Sequence, residues 1–504
     1  MITDDLYVEA MWALGFFLFV LLLVQTRCRC DFARACSALE YVYLPVYVLA
    51  VCADWLQGPY VYALYMALGV GRTDINVLFV MGFGTSMVLG PFIGQIADQF
   101  GRKNMILWMY CGAYSLACVT KHFDLYWVLA IGRFLGGAAT SVLFSCFESW
   151  LVAEHHRRLL DPEILNQVLS RQYFLNGLAG CSMGVIAQYA VDSIPIEVVT
   201  ADWAAFAQGH LHVFGEVLPF DMSAACLLLA SVLICITWSE NIWYGKAEQG
   251  ADGGEQHWRL AEAAGLLASD RLLLTIMVVA AATESAMYAF VIEWTPALTV
   301  GGDGPPHGLV FSCFMIAYMT GSTIFGVLSP CVGDGASGAA RLLIGFTTLS
   351  FGATAGTWSL FHTGVAATQG GVFVVFLLLT TFEMGLGGYM AAIATLKATY
   401  VPDGLRATIY NIFRVPLNLI VVVINVISLS SEFTFLACTC LVGIALVGSF
   451  AILAQHNQRV VAAEKAARAK SLGIDADDGE AYPTFWQSLL LCVPSRKDPT
   501  STLV

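Results

Sequence analysis

Gly94-Gln95-Ile96-Ala97-Asp98-Gln99-Phe100-Gly101-Arg102-Lys103 is a short charged stretch wedged between two long apolar runs, 75–97 and 104–120. A bilayer span needs roughly 20 mostly apolar residues, and backbone polar groups in lipid must be satisfied within the segment. The two runs therefore read as spanning helices, and the stretch between them as a tight glycine-rich hairpin of mixed charge at the membrane surface.

Working outward, the same reading finds runs at 6–24, 43–66, 124–148, 168–190 and 218–238 in the first half. After a polar stretch the pattern resumes at 271–296, 307–329, 341–361, 370–393, 405–428 and 433–455. Thirteen runs group as one N-terminal helix plus six and six. Of the 504 residues 58% are apolar and only 12% charged, which excludes an ordinary soluble protein. The chain is expected to be an all-α integral membrane protein of two six-helix bundles plus one extra N-terminal transmembrane helix. Its divisions are expected at 1–42 for the anchor helix and a basic loop, 43–238 and 271–455 for the bundles, 239–270 for the linker between them, and 456–504 for a tail.

If the Gly94–Lys103 hairpin is cytoplasmic, only Arg72 and Lys121 of the 24 lysines and arginines fall outside, and Arg133, Arg171 and Arg414 lie within spans. The remainder sit in cytoplasmic loops, helix ends and the tail, as the positive-inside rule requires. The first run carries Asp4, Asp5 and Glu9 before it and Arg27, Arg29 and Arg34 after it, the flanks of a retained anchor with its N-terminus outside. The net charge of −13 says little about the substrate, because the charges that count lie at membrane depth.

None of the 15 cysteines falls in the longer outside loops, 191–217 and 297–306, so no structural disulfide is expected. Cys28, Cys30 and Cys36 cluster near a helix end, where metal binding or acylation competes with the simpler reading of reduced juxtamembrane thiols. Gly132-Arg133-Phe134-Leu135-Gly136-Gly137 has an echo in Glu383-Met384-Gly385-Leu386-Gly387-Gly388. Two parallel repeats would superimpose these positions, but close helix packing selects small residues too. After 455 the tail is Ala-rich, then acidic, then apolar around 485–493, and its terminal Thr502-Leu503-Val504 is a weak match for a carboxylate-capturing partner.

An ionised side chain within a span costs at least about 2.5 kcal/mol unless paired or hydrated. That makes Asp54, Arg133, Glu148, Arg171, Glu284, Glu293, Glu383 and Arg414 the functional candidates. Glu148 and Glu293 lie near helix ends, within reach of headgroups or water, and Arg171 can snorkel. Arg133 and Arg414 matter most, because a guanidinium stays protonated and presents a planar donor fork that matches tetrahedral oxyanions. Asn411 lies three residues before Arg414 on nearly the same face, and Pro416 should kink that helix. The competing roles are ion pairs, Arg414 with Glu383 and Arg133 with Asp54. Asp54, Glu284 and Glu383 serve either as such partners or as proton sites. Around the hairpin, Asp98 is placed to meet a helix N-terminus, while Arg102 pairs with Glu148 or Glu154, so that Gly94, Asp98, Gly101, Arg102, Lys103 and Glu148 form a gate. The histidines fall in outside loops or at helix ends.

The spacing Gly94, Asp98, Gly101-Arg102-Lys103 resembles the signature loop between the second and third helices of the major facilitator superfamily, whose members are secondary transporters. Longer strings resemble its molybdate-anion transporter branch: Ala53-Asp54-Trp55-Leu56-Gln57-Gly58-Pro59-Tyr60, Gly101-Arg102-Lys103-Asn104, Gly132 to Gly137 running on to Phe147-Glu148-Ser149-Trp150, Glu284-Ser285 with Trp294-Thr295-Pro296, and Phe413-Arg414-Val415-Pro416-Leu417. The resemblance implies high-affinity uptake of molybdate, a tetrahedral dianion, which fits the independent reading of Arg133 and Arg414 as its ligands with Asn411 assisting; the plasma membrane is the expected location. The alternatives are a carrier for another small anion or polar solute, and a membrane sensor that binds without transport. No metal or organic cofactor is implied, the bilayer is the expected environment, and nothing points to nucleic acid. No nucleophile elbow, phosphate loop or metal-ligand spacing marks an enzyme; Gly301-Gly302-Asp303-Gly304 is loop chemistry.

Overall fold

The computed structural model describes residues 4–28, 38–160, 162–199, 210–240, 255–299, 304–333, 335–402, 406–427 and 429–471. The chain is helical almost throughout. Its elements are α1 (Asp4–Cys28), α2 (Ala38–Gln57), α3 (Val61–Ala67), α4 (Arg72–Phe100), α5 (Arg102–Met105), α6 (Ala113–Val119), α7 (Tyr126–Arg157), α8 (Pro162–Ser193), α9 (Leu218–Thr237), α10 (Glu255–Ser269), α11 (Arg271–Leu298), α12 (His307–Val332), α13 (Gly335–His362), α14 (Gln369–Tyr400), α15 (Arg406–Ile427) and α16 (Ser431–Ser471). Among the described residues ten helical segments are long and apolar enough to cross a membrane. The other three expected runs fall on α13, on α15 and on the interrupted segment 102–119.

Several details depart from the pattern of apolar runs. The run at 43–66 is two helices, because Gly58-Pro59-Tyr60 forms a 3-10 turn where the proline has no N–H to continue the α ladder. The run at 104–120 carries a π-helical stretch, Ile106–Gly112, between α5 and α6. Helix α15 runs through Pro416 without a break. The final helix passes 455 and continues to Ser471, because its Ala-rich continuation favours helix and its Arg459 binds Asp270 at 2.5 Å. The linker is helical in part, as α10, and Asp270 caps α11 by accepting from the backbone N–H groups of Leu272 and Leu273. In the loop 191–217, strand β1 (Glu197–Val199) pairs antiparallel with β2 (Leu211–Val213). Cys30, Cys36 and the tail from 472 onward lie outside the described residues.

Two separate cores organise the bundle. In the first half Tyr43, Tyr47, Tyr110, Phe147, Trp150 and Trp238 are buried together, with the indoles of Trp150 and Trp238 stacked at 3.8 Å. In the second half Ile276, Leu343, Leu386, Ile409, Phe413 and Ile452 form the equivalent centre. Helix α1 joins the second half, where Tyr7 packs edge-on against Phe376 at 5.0 Å. The glycine echo is a packing feature at both ends. A Cβ on Gly137 would lie 2.3 Å from the Gly82 carbonyl of α4, and one on Gly387 would lie 1.9 Å from the Tyr318 carbonyl of α12. Only glycine allows those helix backbones to approach so closely.

Candidate substrate site between the two halves

Asp54 sits near the end of α2, where the segment 106–119 places two tyrosines against that helix. The Tyr114 hydroxyl donates to Asp54 Oδ1 at 2.6 Å, and the Tyr110 hydroxyl donates to the Ala50 carbonyl at 2.8 Å. One residue further along, Trp55 Nε1 donates to Asn176 Oδ1 of α8 at 2.9 Å. The expected Arg133–Asp54 ion pair is not formed. Arg133 lies flat along α4, with Nε donating to the Leu78 carbonyl at 3.2 Å and its guanidinium 4.6 Å from the Phe79 ring centroid. Gly82 makes that course possible, since a Cβ there would meet the guanidinium at 2.8 Å. The face of the Phe79 ring and a backbone acceptor take the place of the carboxylate.

In the second half the carboxylates are arranged differently from the expected arginine pairs. Glu284 of α11 binds Lys397 of α14 at 3.3 Å, and neither side chain is dry, at 19% and 17% exposure. Lys397 Nζ also lies 5.9 Å from the Tyr410 ring centroid and 5.4 Å from that of Phe413, both on α15. Glu383, about 21 Å before Lys397 along α14, is only 3% exposed. It has no ion pair or hydrogen bond among the described residues, so Arg414 does not neutralise it. Three tyrosines tie these groups into one cluster. Tyr288 is within electrostatic reach of Arg414, Glu284 and Asp54; Tyr318 of Glu383, Glu284 and Tyr173; and Tyr389 of Glu284 and Tyr318. The side chain of Asn411 lies outside the described residues.

Lys397 was not among the expected site residues. It lies four residues beyond the apolar run 370–393, where a lysine reads as a surface charge marking the helix end. Its stem instead runs back along α14 to Glu284. The same applies to Glu40, which accepts from Arg171 at 2.5 Å. Arg171 therefore has a carboxylate within the first half and does not need to snorkel.

The two ends of the interface between the halves are unequal. At the end where α4 begins, Arg72 Nη2 donates to both Glu293 oxygens at 2.9 and 3.0 Å and to the Leu429 carbonyl at 3.0 Å. The Ser431 hydroxyl adds a bond to Glu293 Oε1 at 2.5 Å. Below this clasp Gln188 Oε1 accepts from Tyr60 at 3.0 Å and from the Gly308 N–H at 2.8 Å, and Ser312 donates to the Cys181 carbonyl at 2.9 Å. Phe83 meets Tyr288 edge-on at 5.1 Å, closing the floor of the seam. Glu293, expected to reach headgroups or water, is instead half of an inter-bundle ion pair. Towards the Gly101 end Glu148 is exposed and Tyr173 is 62% exposed. Asp54, Glu284 and Arg414 are each partly accessible.

At that end the hairpin has a clamp that its own sequence does not contain. Gly101 has φ +93, and the next backbone N–H groups, of Lys103 and Asn104, donate to the two Glu240 oxygens at 3.2 Å each. Lys103 Nζ donates to the Trp238 carbonyl at 2.6 Å. A Cβ at Gly101 would sit 2.3 Å from Glu240 Oε1, so glycine is required by the φ and by the carboxylate together. Glu154 is fully buried and accepts from Arg157 and Arg158 at 2.6 and 2.7 Å. The side chain of Asp98 lies outside the described residues.

A family model described as sugar transporters with 12 TM segments matches residues 14–336. Proteins named molybdate-anion transporter are similar over much of their length. That of Takifugu rubripes is 30% identical over 414 residues, covering 76% of this chain and 77% of the relative. That of Danio rerio is 29% identical over 411 residues, and that of Xenopus laevis 30% over 389, with the same coverage. Among solved structures, the E. coli xylose transporter in a partially occluded inward-open conformation superimposes with a TM-score of 0.58 at 12% identity, covering 82% of this chain and 97% of the transporter.

Proposed function

Because the chain belongs to the major facilitator superfamily, in the family of its molybdate-anion transporter relatives, we propose that it carries molybdate across a membrane by alternating access. The observation that carries the reading is the charged group around Tyr288, with Arg414, Glu284 and Asp54 within its electrostatic reach, beside a seam that the Arg72–Glu293 pair closes at one end. A neutral sugar needs no guanidinium at that depth, whereas a tetrahedral dianion does. Arg414 binds the oxyanion with help from Asn411. Asp54, Glu284 and Glu383 set the charge of the site. Arg133, on the sealed side of the Asp54–Tyr114 bond, meets the anion when the Arg72 end opens.

In this reading the bundles are 43–238 and 271–455, preceded by the anchor and basic loop at 1–42, joined through the linker 239–270 and followed by the tail at 456–504. The Gly101 end faces the cytoplasm, so the present state opens inward. The membrane is the plasma membrane. Gly94, Asp98, Gly101, Arg102, Lys103 and Glu148 form the cytoplasmic gate, and Arg72 with Glu293 the opposite one.

The test is molybdate accumulation at nanomolar external concentration in cells lacking their own uptake system, with and without excess sulfate. Saturable uptake that persists in sulfate is the expected result. No uptake from protein shown to be at the surface refutes the reading.

A further inference from the structure

We propose that Lys397 is an oxyanion ligand of the carrier, held by Glu284 when the site is empty, and that the entering anion displaces Glu284 as that carboxylate takes up a proton. The proposal rests on the reading above that the chain carries a small oxyanion. It adds a binding residue and the stoichiometry of the exchange.

Three observations support it. The Lys397–Glu284 contact at 3.3 Å is longer than the 2.7–2.9 Å of a tight charge-assisted bond, and both side chains keep partial access to solvent. The ammonium has three N–H donors, and Glu284 is its one hydrogen-bond partner among the described residues. The Tyr410 and Phe413 rings flank Nζ without taking up its donors as an oxygen would. Lys397 is therefore a cation with donors to spare, on the helix face next to the one that bears Arg414.

Charge repulsion supplies the reason for the proton. Glu284 holds Lys397, and Tyr288 is within electrostatic reach of Glu284, Asp54 and Arg414. Tyrosine hydroxyls on neighbouring helices lie within electrostatic reach of Glu284, namely Tyr288 from α11, Tyr318 from α12 and Tyr389 from α14, and the Tyr410 ring flanks Lys397. A dianion bound at Lys397 beside an ionised Glu284 would stack like charges at close range. Transfer of one proton from water to Glu284 removes that repulsion and frees the ammonium in the same step. An O–H bond forms on the Glu284 carboxylate as one breaks in the hydronium or buffer acid that supplies the proton.

The experiment uses the purified full-length chain, with sodium molybdate as the probe. Binding is measured by calorimetry in buffers of different ionisation enthalpy, which reports protons taken up per anion, and transport by uptake into proteoliposomes under an imposed proton gradient. The wild type should take up roughly one proton or more per molybdate, and Glu284→Gln should take up one fewer while still binding. Lys397→Gln should weaken binding by about 10- to 100-fold, the loss of a charged hydrogen bond, and Lys397→Arg should restore most of it. Lys397→Gln with wild-type affinity, or Glu284→Gln with unchanged proton uptake, overturns the proposal while leaving the carrier intact. A wild-type protein that neither binds nor transports molybdate overturns the underlying reading instead.

Discussion

Replacing Arg72 with alanine should unlock the seam that closes one end of the site. The guanidinium spans the two halves, from α4 to α11, and makes two bonds to Glu293 and one to the Leu429 carbonyl. Glu293 is only 7% exposed, but Arg72 is 40% exposed, so solvent screens part of the attraction. A fully desolvated charged hydrogen bond contributes about 1.5–3 kcal/mol; discounted for that exposure, the clasp is worth about 1–2 kcal/mol. Because the clasp exists only while this end is closed, its loss should raise the open population about 5- to 30-fold. Hydrogen exchange of the purified protein reads this directly. Peptides covering 72–83, 288–296 and 306–316 should exchange faster by that factor, while peptides from the cores around Trp150 and Leu386 stay unchanged. Exchange unaltered along the seam would refute the clasp as a gate. An equal rise in the cores would show general destabilisation instead.

Three further outcomes follow from the geometry. Arg414→Ala should abolish oxyanion uptake with surface expression retained, and wild-type-like uptake would remove its assigned role. Gly387→Ala forces a methyl against the Tyr318 carbonyl and should cost about 1–3 kcal/mol, seen as a lower thermal midpoint in detergent; an unchanged midpoint would mean that α12 and α14 separate at no cost. Beside strand β2, the hydrogen bond to Asp221 raises the pKa of His122 above its usual 6.5. A raised folded-state pKa means that this stabilisation is full below about 6.5 and lost as pH rises through the folded value. Hydrogen exchange across 197–199 and 211–213, corrected for its intrinsic pH dependence, should therefore quicken between pH 6 and 8, and a flat profile would exclude the linkage.

How much was legible beforehand differs from element to element. Helical runs such as 271–296 were plain, because lipid forces each span to satisfy its own backbone and leaves an apolar stretch of fixed length. Where the backbone needs only one residue to change its pattern, as at Pro59 or through Ile106–Gly112, hydropathy is blind: these residues are as apolar as a regular helix. Asp54, Glu284, Glu383 and Arg414 stood out because a charge in a span is costly wherever it points. Lys397 and Arg72 did not, since a cation at a helix end is ordinary.

Partners, in contrast, belonged to the tertiary structure. Span order and the deep charges follow from local cost, residue by residue, and the sequence by itself determined them. Which carboxylate meets which cation depends on helix rotation and on where glycines such as Gly82 and Gly387 let backbones approach. Arg133 thus lies along α4 and not on Asp54, Glu284 takes Lys397, and Glu293 closes on Arg72. The state of the carrier, closed at its Arg72 end, is a choice between two packings of the same surfaces. Both states contain the same residues, so only the folded arrangement distinguishes them.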